Sequence, residues 1–403
     1  MLLYWLWYAQ RKIPDWVKCR ILQHFSDPEE IYLGGKEAFS RIEAVEEKYI
    51  KELENKDLSS ARKILENCQK QEIGILPFSD PGYPPKLRHI SDPPMVLYYK
   101  GVLPKWESLP VIGIVGTRKA TSYGLQMALT FGRQIARGGG LIVSGCASGI
   151  DAMAMQGAIA EEKPTVGVLG SGVDIIYPKS NTPLFKKVPE SGCLLSEQPP
   201  KTPPYKWNFP RRNRIISGIS NGVLVVEAPD ESGALITAGV AKEQGRDVFV
   251  IPGNVGNPIC NGSNALLQKG AIAALSGWDV LQEYETLYPQ AVRKPEIREF
   301  YQENTPLLVA QTPIRPKKEE KKIPAADKKS IDKEEKSPYS VSGSVPILSP
   351  EEKAILAVLS KEPQPMDEIL SRLDMPAGQA LSLITKLTLK GAAVQHPGKR
   401  VSL

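Results

Sequence analysis

The sequence predicts an α/β protein, with a parallel sheet core in its middle, a small helical domain before it and a winged-helix domain after it. Three observations carry that prediction. Between residues 111 and 277 apolar strands alternate with helical stretches, the pattern of successive βα units. Residues 1–70 are helix-forming and charge-balanced, with 12 Lys+Arg against 12 Asp+Glu. After a charged, Pro- and Ser-rich stretch, the tail from Ser349 regains helical periodicity.

The boundaries follow from shifts in composition: a small helical domain over 1–70, of the SAM or helix-hairpin-helix kind; the sheet domain over 71–291; a flexible linker over 292–349; and a winged helix over 350–403. The apolar opening from Met1 to Ala9 is too short to span a bilayer and has no basic residue before it, so neither export nor membrane insertion is expected. Ser26-Asp27-Pro28-Glu29-Glu30 reads as a capped helix start. Where a helix-hairpin-helix module would place its glycine, this chain has Arg11-Lys12-Ile13-Pro14-Asp15, so the segment is read as structural.

With 403 residues, 41% of them hydrophobic, the chain is long enough for two or three packed domains. The net charge of +6 is concentrated in the middle, where residues 111–277 hold 16 Lys+Arg against 11 Asp+Glu. The five cysteines include no C-x-x-C, and the three histidines, His24, His89 and His396, all lie outside 111–277. That excludes a zinc site and histidine acid–base chemistry in the sheet domain, and it places the protein in the reducing cytoplasm with free thiols. In 315–336, nine Lys+Arg and six Asp+Glu leave too little apolar surface to offset the entropy of ordering, hence the linker. In the tail, Pro350-Glu351-Glu352 opens one helix, Met366–Leu373 forms a second, a third runs from Pro376 to about Lys390, and a hairpin turns at Gly398-Lys399-Arg400. Thr385, Lys386, Lys390, Lys399 and Arg400 are its candidate duplex contacts, although winged helices that dock proteins share the same pattern.

Three strands of the central segment run into glycine turns: Val111–Val115 into Gly116-Thr117-Arg118, Leu141–Val143 into Ser144-Gly145, and Thr165–Leu169 into Gly170-Ser171-Gly172. In an open α/β sheet the ligand crevice lies beyond the carboxyl ends of the strands, and glycine lets backbone N–H groups approach an anion there. A single such turn is explained by strand-to-helix geometry alone; three on one edge point to phosphate. None is a G-x-G-x-x-G and no Walker-type loop occurs, so neither NAD nor ATP is expected and no cofactor is assigned.

Lys206-Trp207-Asn208-Phe209-Pro210-Arg211-Arg212-Asn213-Arg214-Ile215-Ile216 packs four cations and two aromatics into eleven residues. Stacking on an aromatic face contributes about 1–3 kcal/mol per base and neighbouring cations hold phosphates, which is single-strand binding chemistry. Arg211 and Arg214 are equally placed to pair with Glu227 or Glu197, with Trp207 and Phe209 in the core. Glu227 and Glu231 have no evident catalytic partner, and both read as sheet-end ion pairs.

From Gly116-Thr117-Arg118 through Ser144–Asp151, Tyr177-Pro178-Lys179, Phe209–Ile216, Ser232–Ala238 and Val250–Gly253, the motifs resemble, in order over roughly 75–277, those of the DprA or Smf family of DNA-processing proteins. The resemblance implies an extended Rossmann-like core that forms a homodimer and binds single-stranded DNA without sequence preference. It further implies that incoming strands are protected and RecA recombinase is loaded on them during natural transformation. It assigns phosphate contacts to Arg118, Lys179, Lys206, Arg211 and Arg214, a base contact to Phe209, and close backbone approach to Gly116, Thr117, Gly145 and Gly170. The family's histidine after G-I-D is absent here, since Asp151 is followed by Ala152-Met153-Ala154-Met155. A nucleotide phosphoribohydrolase of the lysine-decarboxylase-like group would use the same sheet, but its P-G-G-x-G-T loop has only Pro229–Thr237 as an analogue, without the paired glycines. The expectation is a binding protein, with no catalytic residues.

Overall fold

The computed structural model describes residues 1–294 and most positions from Pro350 to Ser402, and these fall into two compact units. In the first unit nine strands form one sheet: β1 (Gly74–Pro77), β2 (Val96–Gly101), β3 (Val111–Val115), β4 (Leu141–Ser144), β5 (Thr165–Leu169), β6 (Cys193–Ser196), β7 (Gly222–Val225), β8 (Asp247–Val250) and β9 (Ile272–Ala273). Their order is β1-β2-β6-β5-β4-β3-β7-β8-β9. From β6 to β9 every neighbouring pair is parallel, and β1 and β2 extend the sheet antiparallel from β6. The chain leaves β3 in one direction through β4, β5 and β6 and then returns to lay β7 on the other side of β3. The carboxyl ends of β3 and β7 therefore flank a topological switch point, where open α/β sheets place ligands.

The inner strands read as unbroken apolar runs because helices cover both faces. Val111, Val115, Val223 and Val225 point to one side, against Ile215 and Ile216 of the helix Asn208–Ile219 and Ala234 and Ala238 of the helix Gly233–Glu243. Ile112, Ile114, Leu224 and Val226 point to the other, against Phe131 and Ile135 of the helix Ser122–Arg137 and Ile150 and Met153 of the helix Ile150–Ala160.

The first 70 residues form the helices Leu2–Ala9, Asp15–Leu22, Pro28–Leu33, Lys36–Ser40, Glu47–Glu54 and Ser59–Lys70. Asp27 caps the third as its sequence suggests, accepting the N–H groups of Glu29 and Glu30 at 2.8 and 3.1 Å, with Pro28 in the first turn. The apolar opening is a core helix: Trp5, Leu6, Trp7 and Tyr8 are all buried, and each large apolar side chain so covered contributes about 1.5–3 kcal/mol. These helices share one hydrophobic cluster with Met95, Val96, Tyr98 and Leu194 of the sheet region. At the other end Val292 is buried and the Arg293 N–H donates to the Gly138 carbonyl at 3.0 Å, so the first residues of the expected linker pack against the sheet domain. The rest of the expected linker, 295–349, lies outside the described residues.

The second unit contains the helices Pro350–Val358 and Met366–Ser371 and a small antiparallel sheet of Gln364–Pro365, Arg400–Ser402 and Val394–His396, in that spatial order. Ile355, Ile369, Ile384, Leu387 and Val401 form its core, a winged-helix arrangement. The candidate contacts Thr385, Lys386, Lys390 and Lys399 lie outside the described residues. Among the described residues no helix is long and apolar enough to cross a membrane, and all five cysteines are free thiols.

Candidate nucleic-acid interface

A cleft of about 390 Å³ opens at the switch point. Gly116, Thr117 and Arg118 line it from the end of β3, Pro229 to Thr237 from beyond β7, and Phe209 from the helix Asn208–Ile219. The Arg118 guanidinium lies over the Phe209 ring, 5.3 Å from its centroid, so a cation and a stacking surface meet at the mouth. Phe209 is half-buried and seated against Gly170, where an added Cβ would stand 3.1 Å from the ring. The Gly170 carbonyl accepts from the Asn208 side-chain amide at 3.0 Å, which fixes the start of the helix over that turn.

The segments next to Phe209 are aromatic and basic. Tyr177 lies 5.7 Å from Phe209, and Lys179 follows it two residues on in the chain. Tyr205 and Trp207 are stacked nearly parallel at 4.6 Å and 7°, and Trp207 is 69% exposed. Arg118, Lys179 and Lys206 are exposed as well. Trp207 is thus a surface residue and not a core one: it stands at the N-cap of a helix whose buried apolar residues begin only at Ile215.

The other arginines behave differently. Arg214, with 7% of its side chain exposed, pairs with Glu197 at 2.6 Å, Asp92 at 3.0 Å and Asp15 at 3.2 Å. Arg211 is 52% exposed, yet its guanidinium also reaches Asp15 at 2.7 Å and Glu197 at 3.0 Å. Lys18 completes the network on Asp15 at 3.2 Å. Burial alone would push the Asp15 carboxyl up, but Lys18, Arg211 and Arg214 hold it below the usual carboxylate range. Burial raises Glu197 against the pull of Arg214 and Arg211, and the adjacent Asp15 charge raises it further. Of the two partners weighed from sequence, Glu197 is therefore the one used. Glu227 pairs with no arginine; it is buried and accepts the Thr121 N–H and hydroxyl at 2.9 and 2.6 Å.

Two of the three glycines have packing reasons of their own. A Cβ on Gly116 would stand 2.5 Å from the Ile150 side chain, and one on Gly145 would stand 2.3 Å from the Arg212 guanidinium. The Gly145 N–H donates to Asp151 at 3.1 Å and the Ala147 N–H to the same oxygen at 3.4 Å, so an internal carboxylate takes the donors that a phosphate would use in this turn. The Thr117 N–H likewise donates to the Glu227 carbonyl at 2.7 Å. Burial pushes Asp151 up, opposed by Arg212 and these N–H groups, and pulls the buried Arg212 down. Arg212 donates to the Gly145 carbonyl at 2.8 Å and to that of Val168, tying the second turn to the end of β5. The structure therefore gathers Gly116, Thr117, Arg118 and Phe209 in the cleft, leaves Lys179 and Lys206 exposed outside its lining, and turns Arg211 and Arg214 toward acidic partners.

Tyr177, Tyr205 and Asp15 have no role among the residues that the resemblance assigns. Two tyrosines within two residues of exposed lysines were a visible signal; Asp15, 196 residues from Arg211, offered none.

A crevice at the switch point of a parallel sheet, basic and aromatic segments next to Phe209 and a winged-helix tail define a DNA-handling protein with a Rossmann-type core. The family model for DNA recombination-mediator protein A matches residues 74–285, and the model for the DprA winged-helix domain matches 342–399. The chain is 33% identical over 413 residues to the protein Smf of Synechocystis sp. (strain ATCC 27184 / PCC 6803 / Kazusa), covering 98% of this chain and 97% of the relative. It is 45% identical over 221 residues to the DNA processing protein DprA of Bacillus subtilis (strain 168), covering 55% of this chain and 74% of the relative. The X-ray structure of DprA from Streptococcus pneumoniae matches with a TM-score of 0.61 at 31% identity, over 70% of this chain and 98% of that one. The chain belongs to the DNA recombination-mediator protein A family, the DprA or Smf proteins.

Proposed function

We propose that this protein binds single-stranded DNA without sequence preference and acts by binding, without catalysis, as a cytoplasmic mediator that protects incoming strands and loads RecA recombinase on them during natural transformation. The observation that carries the reading is the Arg118–Phe209 pair in the switch-point cleft, with the exposed Lys206 three residues before Phe209 in the chain and the exposed Lys179 two residues after Tyr177, whose ring touches Phe209. An aromatic face accepts any unpaired base, whereas duplex bases have their faces covered, so this chemistry favours single strands and tolerates sequence. Membership of a recombination-mediator family supports the transfer step.

Pairing of two copies is supported by the apolar β9 edge, where Ile272 and Leu275 are exposed next to a cleft of about 500 Å³. Two joined grooves raise the affinity for strands long enough to occupy both. Ile272→Arg is expected to give a monomer in light scattering and to weaken binding of long strands alone; a monomer that holds long strands as tightly as wild type contradicts the pairing. The binding reading itself is tested by fluorescence anisotropy with labelled oligo-dT and a blunt duplex of equal length at two salt concentrations. Tight, salt-sensitive preference for the single strand is expected, and equal or absent binding would overturn it.

A further inference from the structure

We propose that the stacked Tyr205–Trp207 pair is a second base-stacking platform, continuing the single-strand groove beyond Phe209 by a nucleotide or two. The inference rests on the single-strand reading above and adds a site to it.

Tryptophan is rarely left uncovered, because its large apolar surface is costly to hydrate. Here Trp207 is 69% exposed and Tyr205 44% exposed; Trp5, Trp7 and Trp106 of the same unit are buried, and Trp16, at 49%, is less exposed than Trp207. The pair is also held ready. Its rings are 7° from parallel, the Tyr205 N–H donates to the Pro203 carbonyl at 2.8 Å, and the Asn208 N–H donates to the Tyr205 carbonyl at 3.0 Å. A platform fixed before binding spares the strand the entropy of ordering it.

Charge and position select the ligand. Lys206, exposed, stands between the two aromatics in the chain, so a group stacked on them lies next to a cation that suits phosphate. Trp207 is two residues from Phe209, at most about 7 Å between Cα atoms. A strand rises about 3.4 Å or more per nucleotide, so neighbouring nucleotides of one strand, which reach around the start of the helix, span the distance between the two platforms. A groove that stacks bases at successive points along a charged backbone is how sequence-tolerant single-strand binding is built.

The test uses the full chain with labelled oligo-dT of graded length. Trp207→Ala is expected to weaken binding about tenfold on strands long enough to reach past Phe209 and to leave the salt slope unchanged. Trp207→Phe restores most of the affinity, since a stacking face returns, and Tyr205→Ala loses part of it. Wild-type tryptophan emission falls on saturation, and Trp207→Phe abolishes most of that change. Trp207→Ala binding every length like wild type, with no emission change in wild type, would overturn the inference alone and leave the pair as a contact for a protein partner. Wild type failing to bind any strand would overturn the parent reading and this inference with it.

Discussion

Asp15→Ala tests whether the buried network under the helix Asn208–Ile219 holds this region together. In the wild type three cations, Lys18, Arg211 and Arg214, face three carboxylates, Asp15, Glu197 and Asp92. Removing Asp15 leaves one positive charge uncompensated among groups of which Lys18 and Arg214 are nearly fully buried, at 3% and 7% side-chain exposure. Breaking a buried pair costs about 3–5 kcal/mol, and the exposed half of Arg211 recovers part of that through water, so a loss of about 3 kcal/mol is expected. Urea unfolding of the full chain, followed by the emission of buried Trp5 and Trp7, measures it. Because the chain has two units, the transition of the first is fitted separately. The pH dependence gives a second reading. The folded Asp15 pKa is depressed, so its stabilisation is present above the unfolded value of about 3.9 and is lost as pH falls through the lower folded value. Glu197 is raised, so its charged form subtracts stability at neutral pH, and that penalty is relieved on mild acidification. The gap between wild type and Asp15→Ala should therefore persist down to about pH 4 and close only below it. A loss under about 1 kcal/mol, or a gap already closed by about pH 5, would show that the network is solvated and that Asp15 does not anchor the helix.

Arg118→Ala and Lys206→Glu are expected to weaken oligo-dT binding for every sequence, and Arg118→Ala to reduce the slope of log K against log salt by about 0.7, one phosphate contact on a single strand. Anisotropy titrations at several salt concentrations check this, and unchanged affinity in both variants would remove the cleft from the proposed function. Gly145→Ala places a methyl group 2.3 Å from the Arg212 guanidinium; overpacking of about 1–3 kcal/mol should appear in thermal unfolding, and a neutral effect would mean that Arg212 moves freely. A chain ending at Lys294 keeps the Arg293–Gly138 hydrogen bond and every described residue of the first unit, so it should bind single strands like wild type and lose only what the residues after 294 contribute; RecA loading unchanged in that truncation would argue against a recruiting role for the tail.

The inner strands of the sheet are legible in the sequence because burial on both faces writes them as continuous apolar runs, as in Val111-Ile112-Gly113-Ile114-Val115. Glycine is a less specific signal. It marks close approach, and at Gly145 the approaching group is the side chain of Arg212 and not a ligand, a distinction that only the third dimension makes. The same limit governs the arginines. Density in the chain groups Lys206 through Arg214 as one basic patch, but the helical repeat places Arg211 and Arg214 on one face, and the fold brings Asp15 to that face from 196 and 199 residues away. No local pattern contains that carboxylate.

The helix start thus separates two tasks that the sequence shows as one. Residues up to Phe209 lie at or before the first turn, where the backbone turns outward and Tyr205, Lys206 and Trp207 meet solvent. Arg211 and Arg214 are inside the helix, where they reach Asp15 of the helix Asp15–Leu22 and Glu197 beyond β6, contacts that anchor the helix behind the exposed segment. An exposed aromatic platform stays flat only if its base is rigid, so the buried ion pairs and the surface stacking pair belong to one device. Loosening Asp15 should then weaken the binding of strands that reach Trp207 more than that of short strands held at Phe209, a comparison that the graded oligo-dT series makes directly. Equal losses at every length would mean that the network stabilises the fold and leaves the platform's geometry untouched.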